Sequence, residues 1–85
     1  MEEVANKKVT ATIRRIRTIR ESKEYSQDYL AAKLGISQNA YSKIELGYSG
    51  LSLERLFIIG RVLEVDVNAL INEAVPATGE QAGQG

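Results

Sequence analysis

Residues 27–46 contain two short helical patterns joined by a tight turn, and this pairing restricts the fold more than any other feature of the chain. Two helices joined so closely cross at a steep angle, which requires a small residue at the crossing and favours glycine where the first helix ends. Ala31 and Gly35 occupy these two positions. The apolar residues that complete the inner side of the pair are Leu30, Leu34, Ile36, Tyr41 and Ile44.

The second helix of this pair leaves polar side chains on its outer side: Gln38, Asn39, Ser42 and Lys43. Amide, hydroxyl and ammonium groups are those that read base edges in the major groove of DNA. The pattern therefore indicates a surface for double-stranded DNA. The alternative is a plain helical bundle in which the same polar residues are only solvated.

Apolar periodicity predicts three further helices and hence an all-α fold of five helices. Their expected inner residues are Val9, Ile13, Ile16 and Ile19 or Arg20 in the first, Leu53, Leu56, Ile59, Gly60 and Leu63 in the fourth, and Val67, Leu70 and Ile71 in the fifth. Short polar residues suited to N-capping precede the later four helices, at Ser26, Ser37, Ser52 and Asp66. Glycine should close the second and third helices, at Gly35 and Gly47.

One domain is the most that 85 residues support. We divide the chain into a flexible N-terminal arm over residues 1–8, the helical domain over 9–74 and a disordered tail over 75–85. The tail contains three of the seven glycines and has no large apolar residue after Val75.

The charged residues are polarised along the chain although Lys and Arg equal Asp and Glu at 11 each. Residues 4–43 carry nine basic and three acidic side chains, whereas residues 44–85 carry two basic and six acidic ones. A basic half that makes the contacts and an acidic half that points away is compatible with a nucleic-acid partner. A solvated charged face would have the same composition.

Composition also excludes several classes of function. The chain has no Cys and no His, so it lacks thiolate ligands, the commonest general base and the commonest metal ligand. We expect no enzyme activity, no catalytic residue, no cofactor, no metal and no small-molecule ligand. No apolar run approaches the length of a membrane span and no signal peptide is evident, which predicts a cytoplasmic protein.

The chain from Ile13 to Ile71 resembles the lambda-repressor-like, or XRE-type, helix-turn-helix family, which includes phage repressor and Cro proteins. The residues that carry the resemblance are Ile19-Arg20, Ser26-Gln27, Leu30-Ala31, Leu34-Gly35-Ile36-Ser37, Ile44-Glu45, Gly47 and the run Leu53, Leu56, Ile59-Gly60, Leu63 and Val65. The resemblance implies a compact five-helix domain whose third helix enters the major groove, usually as a homodimer on a palindromic operator. It further implies a transcriptional regulator, and we expect a repressor.

The resemblance also assigns roles to individual residues. Gln38, Asn39 and Lys43 fall on the family's base-reading positions. Gln27 falls on a glutamine that touches a phosphate and braces the first glutamine of the recognition helix, here Gln38. The further residues implied at the DNA backbone are Ser37, Ser42 and Tyr48, and the pair implied as an internal salt bridge is Arg20 with Glu45.

Three positions depart from the family pattern. Glu24 stands where glycine is usual before Tyr25, which predicts a strained or reshaped end to the first helix. Tyr41 is bulkier than the usual aliphatic residue, and its hydroxyl needs a partner. The loop over residues 47–50 lacks the basic residues that many relatives place against phosphates, so helix N-termini and N-terminal basic residues should contribute more to affinity.

The fourth helix suggests how the domain associates. Phe57, Ile58 and Val62 extend its apolar surface beyond the core stripe, and we interpret them as the homodimer interface. A second interpretation, from a different class, is a protein-interaction regulator such as an antitoxin, whose main partner is another protein. Binding to random duplexes in a gel shift would separate the two.

Overall fold

The helices of the computed structural model, which describes residues 2–72, follow one another without an intervening strand in that range. Their bounds are α1 Glu2–Ser22, α2 Gln27–Leu34, α3 Gln38–Glu45, α4 Leu53–Leu63 and α5 Val67–Ile71. The long α1 packs against α3, α4 and α5, and α2 packs against α3 and α4. The all-α fold predicted from the sequence is confirmed.

Four of the helices begin where the sequence places their N-caps. The hydroxyls of Ser26, Ser37 and Ser52 each accept a hydrogen bond of 3.0–3.1 Å from the backbone N–H three residues later. The carboxylate of Asp66 accepts one of 2.9 Å from the N–H two residues later. Each bond satisfies a donor that the first turn of a helix leaves without a partner, so the starts of α2 to α5 are fixed locally.

Four residues just after helix ends adopt a positive φ angle: two are glycines, as expected, and two are glutamates. Gly35 and Gly47 have φ angles of 72° and 83°, in the left-handed region that favours glycine. Glu24 and Glu64 adopt the same region, with φ angles of 62° and 61°. At Glu24 this agrees with the strained turn expected where the family pattern has glycine.

The core lies between α1, α2 and α4 and is closed by α3 and α5. Its buried members are Ile16, Leu30, Ala31, Tyr41, Leu56, Ile59, Leu63 and Leu70. Gly60 brings α4 close to the following segment, since a Cβ at this position would lie 3.2 Å from Cγ2 of Val67. The start of α5 therefore packs closely against α4 at this position.

Three residues expected in the core are exposed instead. Val9 is 48%, Leu53 is 67% and Ile71 is 39% accessible. Val9 belongs to the first half of α1, where every described side chain from residue 4 to residue 10 is exposed. Leu53 and Ile71 are the first residue of α4 and the last of α5. Helical spacing gives the correct side of a helix, but it does not show where the neighbouring elements stop covering that side.

The N-terminal segment also differs from expectation. We expected a flexible arm over residues 1–8, whereas α1 begins at Glu2 and continues through this segment. The segment has no glycine or proline, and Glu, Ala and Lys are good helix formers, so the amphipathic helix that follows extends backward through it. The expected tail over 75–85 and the last two residues of the 9–74 domain lie outside the described residues.

The length and polarity of the helices also bear on membranes. None of the helices within residues 2–72 is both long enough and apolar enough to cross a bilayer.

Candidate nucleic-acid interface

The turn between α2 and α3 is built by backbone hydrogen bonds around Gly35. The N–H of Gly35 donates to the carbonyl of Ala32 at 3.1 Å, and the N–H of Ile36 donates to the carbonyl of Ala31 at 3.0 Å. These bonds satisfy the last carbonyls of α2. Ala31 is 1% exposed where the helices cross. The small Ala31 at the crossing and the left-handed Gly35 thus allow a connection of only three residues between α2 and α3.

The outer side of α3 carries the side chains that the sequence assigns to base reading. Gln38, Asn39 and Lys43 are all exposed, and Ser42 between them is half-buried. At about 100° per residue these four positions span an arc of roughly 140° on the helix surface. The side chains of Gln38, Asn39 and Lys43 have no hydrogen-bond partner within residues 2–72 and are available to a ligand.

The inner side of α3 is held by a buried network centred on Glu45. Nε of Arg20 donates to Oε2 of Glu45 at 2.7 Å, and Nη2 donates to Oε1 at 3.1 Å. The hydroxyl of Tyr41 donates to Oε2 at 2.6 Å, and Nε2 of Gln27 donates to Oε1 at 3.0 Å. Arg20 also donates from Nη1 to the carbonyl of Tyr25 at 2.8 Å. One carboxylate therefore connects α1 and the start of α2 to the end of α3.

The protonation states of this network are fixed by its contacts. Burial alone would raise the pKa of Glu45, but hydrogen bonds from Arg20, Tyr41 and Gln27 outweigh it and lower the pKa below its usual value. The hydrogen bond to Glu45 raises the pKa of Arg20, against the opposing effect of burial. Burial and the adjacent carboxylate raise the pKa of Tyr41. The network therefore contains a carboxylate, a guanidinium and a neutral phenol at neutral pH.

The ion pair of Arg20 with Glu45 was expected, but two other members of the network were not. Tyr41 was expected to need a partner, and that partner is Glu45, four residues later on the same helix. The i, i+4 spacing of a buried tyrosine and a glutamate is a signal that could have identified this bond.

Gln27 differs from the role that the resemblance implied. We expected it to brace Gln38 at the start of α3, whereas its amide nitrogen donates to Glu45 at the other end of that helix. The carboxylate is the stronger acceptor for this N–H because it is ionised. Gln27 is half-buried, so part of its amide is still exposed.

The other three residues assigned to the DNA backbone lie in or next to α3: Ser37 is its N-cap, Ser42 lies within it and Tyr48 follows it. Ser37 is exposed, and because its oxygen accepts the capping hydrogen bond, its O–H is free to donate to a phosphate. Ser42 is half-buried, and Tyr48 is 79% exposed in the loop after α3. Ser37 and Ser42 are thus close along α3 to the base-reading residues, and the backbone N–H of Tyr48 donates to the carbonyl of Lys43 at 2.8 Å.

The expected dimer residues on α4 differ from one another in solvent exposure. Phe57 is 52% exposed, whereas Ile58 is half-buried. Val62 packs against the core, so it contributes less free apolar surface than its position on the helix predicts. Leu53, one helical turn before Phe57, is exposed and extends the same side.

Within residues 2–72, no three acidic, histidine or cysteine side chains come together in a way that could hold a metal ion.

Comparison with known protein families supports the helix-turn-helix assignment. A family model described as helix-turn-helix matches residues 16–70. This range begins at Ile16 in α1 and ends at Leu70 in α5, so it includes most of the packed domain and the whole of the α2–turn–α3 unit. No curated protein and no solved structure matches the chain at the significance required.

Proposed function

The chain belongs to the helix-turn-helix family of the XRE and lambda-repressor type, and from this membership we propose that it represses transcription as a homodimer on a palindromic operator. Membership makes the protein a DNA-binding regulator and double-stranded DNA its partner. The proposal adds the residues that read the sequence, the symmetry of the site and the sign of the regulation.

The observation that carries the proposal is the contrast between the two sides of α3. The outer side presents Gln38, Asn39 and Lys43 without internal partners, while the inner side is tied by the Glu45 network to α1 and α2. Eight residues at a rise of about 1.5 Å make a helix of roughly 12 Å, comparable with the width of the major groove. A rigidly held helix of this length can present its side chains to base edges in one register.

Each side chain of the outer face supports a definite contact. The amide of Gln38, in the first turn of α3, can bind an adenine edge through two hydrogen bonds. Asn39 offers the same chemistry beside it. Lys43 can donate to a guanine edge or to a phosphate. Contacts to the backbone from Gln27, Ser37, Ser42 and Tyr48 would set the register of the domain on the duplex without reading sequence.

The dimer is supported by exposed apolar surface on α4. Phe57 and Ile58 retain accessible apolar atoms, and the neighbouring Leu53 adds to them. A two-fold dimer would place two copies of α3 about one helical turn of DNA apart, roughly 10 base pairs between half-site centres. Repression would then require that this dimer occupies a promoter.

Selection of bound duplexes from a random pool, followed by sedimentation of the complex, tests the proposal. We expect an enriched site with two inverted halves and a complex that contains two chains. A single asymmetric site bound by one chain would refute the homodimer.

A second candidate function is supported by the same surface of α4. The exposed Leu53 and Phe57 could bind a different protein, as in an antitoxin. In that case the chain would bind random duplexes weakly in a gel shift, and selection would enrich no sequence.

A further inference from the structure

The supply of positive charge near α3 is small. Lys43 is the single cation on the recognition helix, and the following loop over residues 47–50 has none. Contacts of Lys and Arg with phosphates supply most of the non-specific and much of the specific affinity of a DNA-binding protein. Cations from another element must therefore lie beside α3 if the domain is to bind tightly.

A groove between α1 and the end of α3 provides such cations. It has a volume of about 250 Å³, and its lining includes Arg14 and Arg17 from α1 together with Leu46 and Gly47, which follow α3. The same helix surface continues toward the N-terminus, where Lys7 and Arg14 line an adjoining groove. From Lys7 to Arg17 this surface extends for ten residues, or roughly 15 Å along the helix axis.

Arg14 and Arg17 can reach a ligand, whereas Arg20, further along α1, cannot. Arg14 is exposed and has no ion-pair partner within residues 2–72. Arg17 pairs with Glu21 at 3.3 Å, but both side chains are more than half exposed, so the pair is weak and exchangeable. Arg20 is buried and forms an ion pair with Glu45. This pair neutralises the carboxylate at the end of α3, so that carboxylate does not cancel the charge of Arg14 and Arg17.

We propose that the α1 surface formed by Lys7, Arg14 and Arg17 is a second DNA contact, which binds the phosphate backbone beside the recognition helix. The inference rests on the proposed insertion of α3 into the major groove, because that insertion places the duplex backbone at the end of α3. The surface replaces the basic loop residues that this chain lacks. It positions the domain and does not read bases.

The salt dependence of binding tests this role. Arg14→Ala and Arg17→Ala are titrated against the selected duplex at several salt concentrations, with Arg61→Ala as the matched control. Arg61 is an exposed arginine on α4, which contributes no residue to the groove. Each lost phosphate contact should reduce the slope of log affinity against log salt by about 0.9. The ratio of parent affinity to variant affinity should therefore fall about 3.5-fold between 50 and 200 mM salt.

Failure of the α1 contact can be distinguished from failure of the proposed DNA binding, because the parent protein is titrated alongside the variants. The inference predicts reduced slopes for Arg14→Ala and Arg17→Ala, an unchanged slope for Arg61→Ala and unchanged thermal unfolding for all three. It is overturned if the parent binds its duplex and the two α1 variants keep the parental slope. It is also overturned if the slope for Arg61→Ala falls as much as the slopes for Arg14→Ala and Arg17→Ala. A parent that binds no duplex overturns the proposed function itself.

Discussion

Gln27 donates a hydrogen bond of 3.0 Å to Oε1 of Glu45, and this bond joins the first residue of α2 to the last residue of α3. The two helices are therefore connected by side chains as well as by the turn at Gly35. The same carboxylate receives Arg20 from α1. The direction of the recognition helix is consequently set at its C-terminal end, away from Gln38 and Asn39 in its first turn.

Replacing Gln27 with alanine should destabilise the domain modestly. The variant loses one half-buried hydrogen bond to an ionised acceptor, which we expect to reduce the free energy of unfolding by about 1–2 kcal/mol. Urea unfolding followed by circular dichroism measures the change. Gln27→Glu, which places a second carboxylate beside Glu45, should lose more than the alanine variant. Equal stability of the parent, alanine and glutamate variants would contradict a stabilising role for the hydrogen bond from Gln27 to Glu45.

Replacing Glu45 with glutamine should have a much larger effect. Arg20 would remain buried with only the exposed carboxylate of Glu21, 3.9 Å away, as a counter-charge, and loss of one partner from a buried pair costs about 3–5 kcal/mol. Thermal unfolding should show a correspondingly large fall in the midpoint temperature. Glu21→Gln is the matched control, since Glu21 also lies within 3.9 Å of Arg20 but is more than half exposed, so its ion pairs with Arg17 and Arg20 should contribute little. Similar losses from Glu21→Gln and Glu45→Gln would argue against a structural role for the buried pair.

The lowered pKa of Glu45 predicts how stability depends on pH. A carboxylate whose folded pKa lies below its unfolded value, about 4.3, stabilises the fold at higher pH and ceases to do so as pH falls through the folded pKa. The difference in unfolding free energy between the parent and Glu45→Gln should therefore be full near neutral pH and narrow below about pH 4. Urea titrations of both proteins at a series of pH values measure it. A difference that stays constant down to pH 2 would refute the assignment.

Replacing Glu24 with glycine should stabilise the domain. Glu24 holds a φ of 62°, which is unfavourable for a residue with a Cβ, and glycine relieves that strain at the cost of greater freedom in the unfolded chain. We expect a net gain of about 0.5–1 kcal/mol in urea unfolding. Gly35→Ala is the converse control. A Cβ at Gly35 meets no atom within 4 Å, so its expected loss comes from the backbone alone. A loss of stability in Glu24→Gly would show that the turn is not strained.

Features that depend on a few neighbouring residues could be predicted from the sequence, and features that depend on distant packing could not. The cap at Ser37 and the left-handed Gly35 follow from local backbone chemistry, which is why the starts of α2 to α5 agree with expectation. The exposure of Val9 depends on how far α5 and the loops extend beside α1, which no periodicity reports. The partner of Gln27 depends on which acceptor its flexible side chain reaches once three helices have packed.

The resemblance helped most where a pattern alone is ambiguous. Spacing places Arg20 on the inner side of α1, where an arginine would ordinarily count against a core position. Its pairing with Glu45, 25 residues later, came from the family pattern, and the structure contains it. The charge on the wet side of α1 was visible in the sequence, but only the fold places Arg14 beside the end of α3.

The claim that α3 reads DNA sequence through Gln38 is tested by titrating Gln38→Ala and Gln27→Ala against the selected duplex and each of its single-base changes at one fixed salt concentration. We expect Gln38→Ala to lose about 1–3 kcal/mol of binding free energy on the selected site and to lose discrimination at one base pair. Gln27→Ala should weaken all the duplexes more evenly, because a backbone contact and a brace on Glu45 carry no direct base information. Equal losses for Gln38→Ala on every duplex, with discrimination intact at all positions, would contradict the claim.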